Sequence, residues 1–297
     1  MFTGLSAFPL TPLTEKGIDE KSFVRLMERL VAGGVDSIGA LGSTGSYAYL
    51  KHSERDRVAR LAVEHAGGIP VMVSIGSVRT SDVLHLAEDA QRAGVSAVLL
   101  APVSYQKLTS DEVFTLYETV TRHLSVPLCV YDNPGTTNFD FTDELYARIA
   151  QLPHVASIKI PGLSADPLTT RQRLEQLRPL VPSHVTLGAA GDLAEATVLT
   201  QGGDVWYSVI AGLFPEIPLA ITRAAQKGDA RTAQALSAQL EPLWALFRQH
   251  GSLRVVAAAA EILGIVAAPC LPLPLQSLAG DDRQHLATVL EQLDLRA

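Results

Sequence analysis

The sequence predicts an α/β fold in which eight strand–helix units form a TIM (β/α)8 barrel, followed by a C-terminal helical extension. Short apolar runs rich in β-branched residues alternate with amphipathic stretches, which is the pattern of a parallel sheet covered by helices. Eight such units fit within about 225 residues, close to the usual size of a barrel. A doubly wound sheet, with five or six strands, fits this number of units less well.

The predicted strands are the eight short apolar runs. They lie at residues 4–8, 37–41, 71–75, 97–101, 128–131, 156–160, 185–188 and 205–209. Helices follow them, and short polar side chains that can cap a first turn mark their predicted starts at Asp19, Ser53, Thr80 or Ser81, Ser110 and Thr142. Gly34 and Gly94 suit the left-handed turn that ends a helix before the next strand.

From residue 229 onward the pattern is helical only. Helices are predicted at residues 229–250, 252–263 and 280–293, with the proline-rich segment 268–274 as an extended crossing because proline cannot continue a helix. We therefore expect a catalytic barrel domain over residues 1–228 and a helical extension over residues 229–297.

Composition excludes several classes of function. The net charge of -7 argues against nucleic-acid binding, which needs a concentrated basic surface. No run of about 18 apolar residues suggests a membrane span, and no signal peptide is apparent, so a cytoplasmic protein is expected. Cys129 and Cys270 lack metal-ligand spacing, and neither HExxH-like nor G-x-G-x-x-G patterns occur. We predict no metal and no cofactor.

Lys159 is the most informative residue of the chain. It lies near the end of an otherwise apolar predicted strand, where an ammonium facing the outer helices would have neither water nor an obvious partner. The mouth of the barrel, where TIM-barrel active sites lie, is the better location. Burial there favours the neutral amine, which can attack a ketone and form an imine. On the strand alone, an edge or salt-bridged lysine remains an alternative.

Three further segments carry candidate polar groups at predicted strand ends. Tyr131 closes the strand before that of Lys159, so its phenol could exchange protons near the amine, or simply face water. Residues 42–45 form a Gly-Ser-Thr-Gly turn whose amides could bind a carboxylate, although ordinary tight turns use the same residues. Tyr105 follows the fourth strand, where loop aromatics usually serve packing.

Together these positions resemble the dihydrodipicolinate synthase and N-acetylneuraminate lyase family of pyruvate-dependent aldolases. The resemblance covers nearly the whole chain. It includes the Ala-Phe-Pro-Leu-Thr-Pro segment at residues 7–12, the turn at residues 42–45, and Tyr131 followed three residues later by Pro134. Lys159 comes 28 residues after Tyr131, as in the family.

The resemblance implies specific catalytic roles. Lys159 would form the imine with the 2-keto carbon, and Tyr131 would transfer protons during imine formation and carbon–carbon bond change. Ser43 would link Tyr131 to Tyr105 in a proton relay. In this family the residue corresponding to Tyr105 reaches into a neighbouring subunit's site, so a homo-oligomer, either a dimer or a tetramer built as a dimer of dimers, is implied.

The predicted substrate-binding residues are Thr44, Gly45, Thr136 and Tyr207, with Thr44 and nearby amides on the substrate carboxylate. Thr136 stands where dihydrodipicolinate synthases carry an arginine that binds the aldehyde's carboxylate. A neutral threonine cannot replace a bidentate guanidinium, so dihydrodipicolinate synthase activity itself is not expected. Ser46 likewise replaces the glutamate usual after the turn.

We therefore predict a Schiff-base lyase or aldolase that acts on a small 2-keto acid, with an aldehyde as second substrate or product. A Schiff-base dehydratase of a 2-keto-3-deoxy sugar acid would use the same lysine and tyrosine. A third hypothesis is a 2-keto-acid-binding protein that keeps the barrel without turnover.

Overall fold

Eight parallel strands close into a barrel in the computed structural model, which describes residues 1–296. In chain order the strands are β1 (Gly4–Ala7), β2 (Leu13–Thr14), β3 (Gly17–Ile18), β4 (Ser37–Ala40), β5 (Val71–Ser74), β6 (Ala97–Leu100), β7 (Leu128–Tyr131), β8 (Val155–Ile160), β9 (Thr186–Ala190) and β10 (Val205–Ser208). The short strands β2 and β3 form a separate antiparallel hairpin. The other eight are the predicted strands, which confirms the TIM-barrel prediction.

The barrel closes where β1 pairs with both β10 and β4. Side chains alternate between two layers, as a strand period of two requires. In β7, Leu128 and Val130 belong to the large core between strands and helices, whereas Cys129 and Tyr131 belong to the smaller core inside the barrel. The same alternation in β8 sends Ile158 outward and leaves Lys159 facing the interior.

Helices cover the outside of the barrel and continue beyond it. They are α1 (Glu20–Gly33), α2 (His52–Glu64), α3 (Thr80–Ala93), α4 (Ser110–Thr121), α5 (Pro134–Thr137), α6 (Asp143–Ala150), α7 (Pro167–Leu177), α8 (Glu195–Thr200), α9 (Glu216–Gln226), α10 (Ala230–Gln239), α11 (Glu241–His250), α12 (Ser252–Ile262) and α13 (Gly280–Gln292). Within residues 1–296, none of these helices combines the length and apolar character needed to cross a bilayer.

The helix starts are partly as predicted. Asp19 and Thr142 cap α1 and α6 by accepting hydrogen bonds from first-turn amides. The predicted caps at Ser53, at Thr80 or Ser81, and at Ser110 are wrong, because these residues lie inside their helices. Thr109, one residue earlier, caps α4 and forms a reciprocal pair with the glutamate three residues on.

The C-terminal helices differ from the prediction in one respect. The single helix predicted over residues 229–250 is interrupted at Leu240, which ends α10 and precedes α11. Pro242 in the first turn of α11 explains the break, because its ring nitrogen cannot donate the bond that would continue α10. Residues 268–274 are non-helical, as predicted. The start of α12 lies near the C-terminal ends of the barrel strands.

Candidate active site

A cavity of about 520 Å³ lies at the C-terminal ends of the barrel strands. Its wall combines aromatic rings, small hydroxyl residues and apolar side chains from the barrel loops with residues 251–253 and Leu275 from the C-terminal region. Lys159 is the only charged side chain among the residues that line it. The C-terminal region therefore helps to enclose a cavity in which Lys159, the predicted nucleophile, is the one basic side chain contributed by residues 1–296.

Lys159 lies inside the barrel and is only 5% exposed. Its Nζ is 4.0 Å from the centroid of the Phe8 ring and 4.1 Å from that of Tyr131, with the Tyr207 ring 5.5 Å away. No carboxylate among residues 1–296 forms an ion pair with it. The buried nitrogen is thus surrounded by aromatic ring faces rather than by opposite charges.

Tyr131 is the direct neighbour of Lys159, because the two residues are register partners on β7 and β8. Its hydroxyl lies 3.4 Å from Ser43 Oγ, which comes from the turn after β4 across the barrel mouth. The side-chain amide of Asn133 donates a hydrogen bond of 3.3 Å to the same Ser43 oxygen. The structure thus brings three of the predicted residues together and adds Asn133, which the sequence analysis missed.

The turn at residues 42–45 lies at the barrel mouth, as predicted, but its residues differ in their contact with the cavity. Thr44 is buried and lines the cavity, whereas Gly45 does not line it. A Cβ on Gly45 would lie 3.0 Å from the Leu41 amide nitrogen and 3.1 Å from Thr11 Oγ1, so this glycine is needed for the packing of the turn. Leu41 and Ser46, on either side of the turn, have φ values of 57° and 54°, a conformation that costs free energy outside glycine.

Thr136 lines the cavity from α5, the one-turn helix that follows β7. Its hydroxyl donates to the carbonyl oxygen of Asn133 at 3.3 Å. Thr136, which stands where the resemblance places an arginine in dihydrodipicolinate synthases, therefore presents a short neutral side chain to the cavity.

Tyr207 and Tyr105 lie elsewhere. Tyr207 is 1% exposed and does not line the cavity. Its hydroxyl lies 2.6 Å from Ser157 Oγ and 3.4 Å from Cys129 Sγ, deeper in the barrel than Lys159. Tyr105 is 91% exposed and has no contact with the Ser43 hydroxyl in this chain. Neither residue belongs to the cavity that a single chain forms.

Two buried carboxylates support the mouth of the barrel without lining the cavity. Asp192, after β9, accepts hydrogen bonds from the Trp206 indole, the Ser208 hydroxyl and the backbone amides of Val209 and Ile210. Burial raises the pKa of Asp192 to about 6, although these donors oppose the increase. Because Val209 does line the cavity, Asp192 fixes one part of its wall from behind.

Asp132 is the second buried carboxylate and directly follows Tyr131. Burial raises its pKa to about 6, and the Tyr146 hydroxyl, which donates to Oδ2, partly opposes this. Its other oxygen, Oδ1, has no hydrogen-bond partner among residues 1–296. Asp132 is therefore bound by far fewer donors than Asp192, although both residues are buried.

The chain is similar to known proteins over nearly its whole length. Residues 1–293 match the model of the dihydrodipicolinate synthetase family. A crystal structure of a dihydrodipicolinate synthase from Agrobacterium tumefaciens is 43% identical, covers 98% of each chain and superposes with a TM-score of 0.94. Curated relatives named 4-hydroxy-tetrahydrodipicolinate synthase include one from Methanospirillum hungatei, 29% identical over 99% of this chain and all of its own. Another, from Methylococcus capsulatus, is 32% identical over 78% of this chain and 79% of its own.

Proposed function

The chain belongs to the dihydrodipicolinate synthetase family, a lyase family, and from that premise we propose that it makes or breaks a carbon–carbon bond next to a 2-keto acid held on Lys159. Pyruvate is the proposed 2-keto acid. The observation that carries the proposal is the buried Lys159 amine, which has no ion-pair partner within the described residues and lies beside the Tyr131 ring at the floor of the cavity. A structural lysine would instead be paired or solvated.

The proposed reaction begins with addition of the Lys159 nitrogen to the keto carbon C2. The resulting carbinolamine loses its hydroxyl group as water, for which Tyr131 supplies a proton. In the cleavage direction, the Tyr131 oxygen takes the proton of the C4 hydroxyl while the electron pair of the C3–C4 bond moves toward the iminium nitrogen, and an aldehyde leaves; the enamine is then protonated at C3. In the synthetic direction, Tyr131 takes a C3 proton to give the enamine, and this proton passes to the aldehyde oxygen as the enamine attacks the aldehyde carbon. Hydrolysis of the imine then frees Lys159 in either case.

The substrate carboxylate would bind at the turn after β4. Thr44 lines the cavity there and can donate its hydroxyl hydrogen, and the backbone of a tight turn presents amides toward an anion. This placement would leave C2 of the substrate between the turn and the Lys159 amine.

The second substrate is proposed to be an aldehyde without a carboxylate. Once Lys159 has become an imine, the lining of the cavity offers no other charged side chain, and Thr136 is neutral. A second carboxylate would then be buried without a counter-charge, which is costly. The proposed reaction therefore differs in its second substrate from the reaction after which the relatives are named.

Reductive trapping tests the proposal. Incubation with pyruvate and borohydride should add the mass of a reduced pyruvyl group to the peptide that contains Lys159. Lys159→Ala should abolish the adduct, whereas Lys107→Ala, in an exposed loop, should leave it unchanged. Absence of any adduct at saturating pyruvate would contradict the proposal and favour a binding protein without imine chemistry.

Product analysis then separates the two lyase reactions. An aldolase releases pyruvate and an aldehyde from a 2-keto-3-deoxy acid. A dehydratase instead releases water and keeps the carbon chain, or loses only CO₂. Both reactions would pass through the same adduct, so the products decide between them.

The active enzyme is proposed to be a homo-oligomer, a dimer or a dimer of dimers. The family resemblance assigns Tyr105 to a neighbouring subunit's site, and its side chain is exposed in the single chain. Light scattering coupled to size-exclusion chromatography should give a mass of two or four times 31.7 kDa. A monomeric mass at micromolar concentration would contradict this.

A further inference from the structure

We propose that Asn133 is a positioning residue that fixes the direction of the hydrogen bond between Ser43 and Tyr131. The inference rests on the proposed Schiff-base function and adds a member to its proton-transfer chain. Asn133 would not exchange protons itself, because an amide has no proton to give at neutral pH. It would act by deciding which way the Ser43 hydroxyl points.

The contacts around Ser43 carry this inference. Its Oγ has two side-chain partners within residues 1–296, the Asn133 amide nitrogen at 3.3 Å and the Tyr131 hydroxyl at 3.4 Å. An amide nitrogen can only donate, so Ser43 accepts from Asn133. A hydroxyl that accepts one hydrogen bond becomes a better donor, and the other side-chain partner within residues 1–296 toward which Ser43 can direct its single hydrogen is the Tyr131 oxygen.

Hydrogen bonds and the following proline fix the backbone at Asn133. The carbonyl oxygen of Asn133 accepts from the backbone amides of Thr136 and Thr137, each at 3.0 Å, and from the Thr137 hydroxyl, also at 3.0 Å. Pro134 begins the short helix α5 immediately after it, which restricts the preceding residue as well. The backbone from which the Asn133 side chain extends is thus fixed before a substrate arrives, which lowers the conformational entropy that opposes its contact with Ser43.

The direction of this chain matters for the reaction. When Ser43 donates to Tyr131, the Tyr131 hydrogen is free to point into the cavity, where the leaving hydroxyl of the carbinolamine needs a proton. If Ser43 instead accepted from Tyr131, that hydrogen would be occupied. Ser43 could accept from Tyr131 as well as from Asn133, but its own hydrogen would then have no side-chain partner within residues 1–296. Without Asn133, neither direction would be favoured. Asn133 therefore selects the arrangement in which Tyr131 is the donor toward substrate.

Two substitutions distinguish this role from simple packing. Asn133→Asp keeps the shape but replaces the donor by an acceptor, which reverses the Ser43 hydroxyl. Asn133→Leu removes the donor but supplies no acceptor, so it does not reverse the direction of the Ser43 hydroxyl. We expect the rate of borohydride-trapped imine formation to fall about 100-fold for Asn133→Asp and about tenfold for Asn133→Leu, with the KM for pyruvate changed less than about threefold. A packing role predicts the opposite order, because aspartate is the closer match in shape.

The Ser43→Ala background provides the control. If Asn133 acts through Ser43, adding Asn133→Leu to Ser43→Ala should lower the trapping rate by less than about twofold further, since the shared partner is already absent. Additive losses, or a trapping rate for Asn133→Asp equal to or above that of Asn133→Leu, would overturn the inference. Failure of the unmodified protein to form any adduct would instead contradict the proposed function, so the two failures are distinguishable.

Discussion

Gly39→Ala is expected to disturb the active site by displacing the Phe8 ring. Gly39 lies in β4, where a Cβ would come within 2.4 Å of Phe8 Cζ and within 2.5 and 2.7 Å of the two adjacent ring carbons. Phe8 is 1% exposed, and its ring is the surface over which the Lys159 nitrogen lies at 4.0 Å. The new methyl group therefore acts on the nucleophile through one buried ring.

The magnitude follows from the lack of free space. Carbon atoms pack best at about 3.5–4.0 Å, so the ring must move by about 1 Å. Gly42 borders the same ring, with a Cβ there 2.5 Å from Cδ1, and the Tyr207 ring packs edge-on with centroids 6.0 Å apart. Overpacking of this kind costs about 1–3 kcal/mol of unfolding free energy, or roughly 2–10 °C in thermal midpoint. A shift of about 1 Å at Lys159 should slow imine trapping about 10- to 100-fold.

The assay pairs thermal unfolding, followed by circular dichroism, with the rate of pyruvate trapping. Gly135→Ala is the matched control, because a Cβ at that position meets no atom within 4 Å and Gly135 lies in a helical turn. It should be neutral or stabilising by up to about 1 kcal/mol. Phe8→Leu added to Gly39→Ala should recover part of the lost stability by making room. A Gly39→Ala variant as stable as Gly135→Ala, with unchanged trapping, would refute the reasoning.

Three further substitutions test the buried polar groups. Asp192→Asn should lower the unfolding free energy at pH 7 by about 2–5 kcal/mol, measured by urea titration. The new NH₂ group would face backbone amides that now donate hydrogen bonds to the carboxylate. An unchanged urea midpoint would count against a stabilising role of Asp192. Asp132→Asn should instead raise the unfolding free energy at neutral pH. Burial raises the pKa of Asp132 to about 6, so the stability contributed by its protonated form is complete below about pH 4 and is lost as the pH rises through 6. A neutral amide does not titrate, so its contribution to stability does not change with pH. It can still accept the hydrogen bond from Tyr146. The variant should therefore gain up to about 3 kcal/mol relative to the unmodified protein between pH 4 and pH 8, and equal pH profiles would argue against a buried charge. Tyr207→Phe should cost about 1 kcal/mol of stability but leave the KM for pyruvate unchanged, since its hydroxyl bonds to Ser157; a large rise in KM would restore Tyr207 to the substrate site.

The sequence by itself determined the barrel and the central pair of the site. Each strand is a local apolar run, and a strand period of two leaves Lys159 facing either the interior or the outer helices; the cost of an unpaired ammonium among the helices favours the interior. Consecutive strands of a βα barrel are adjacent, which places Tyr131 beside Lys159 without knowledge of any distance. These features depend on interactions between residues near in sequence or on neighbouring strands.

The tertiary structure alone decided how the remaining groups meet. Ser43 and Asn133 follow β4 and β7, which are not neighbours, so their contact exists only because the closed barrel brings opposite turns together across its mouth. The position of Tyr207 on its strand predicted contact with substrate, but its hydroxyl is hydrogen-bonded to Ser157 deeper in the barrel. The return of α12 to the cavity likewise depends on how the C-terminal helices pack. No local pattern encodes such contacts, because they are set by closure and packing of the whole chain.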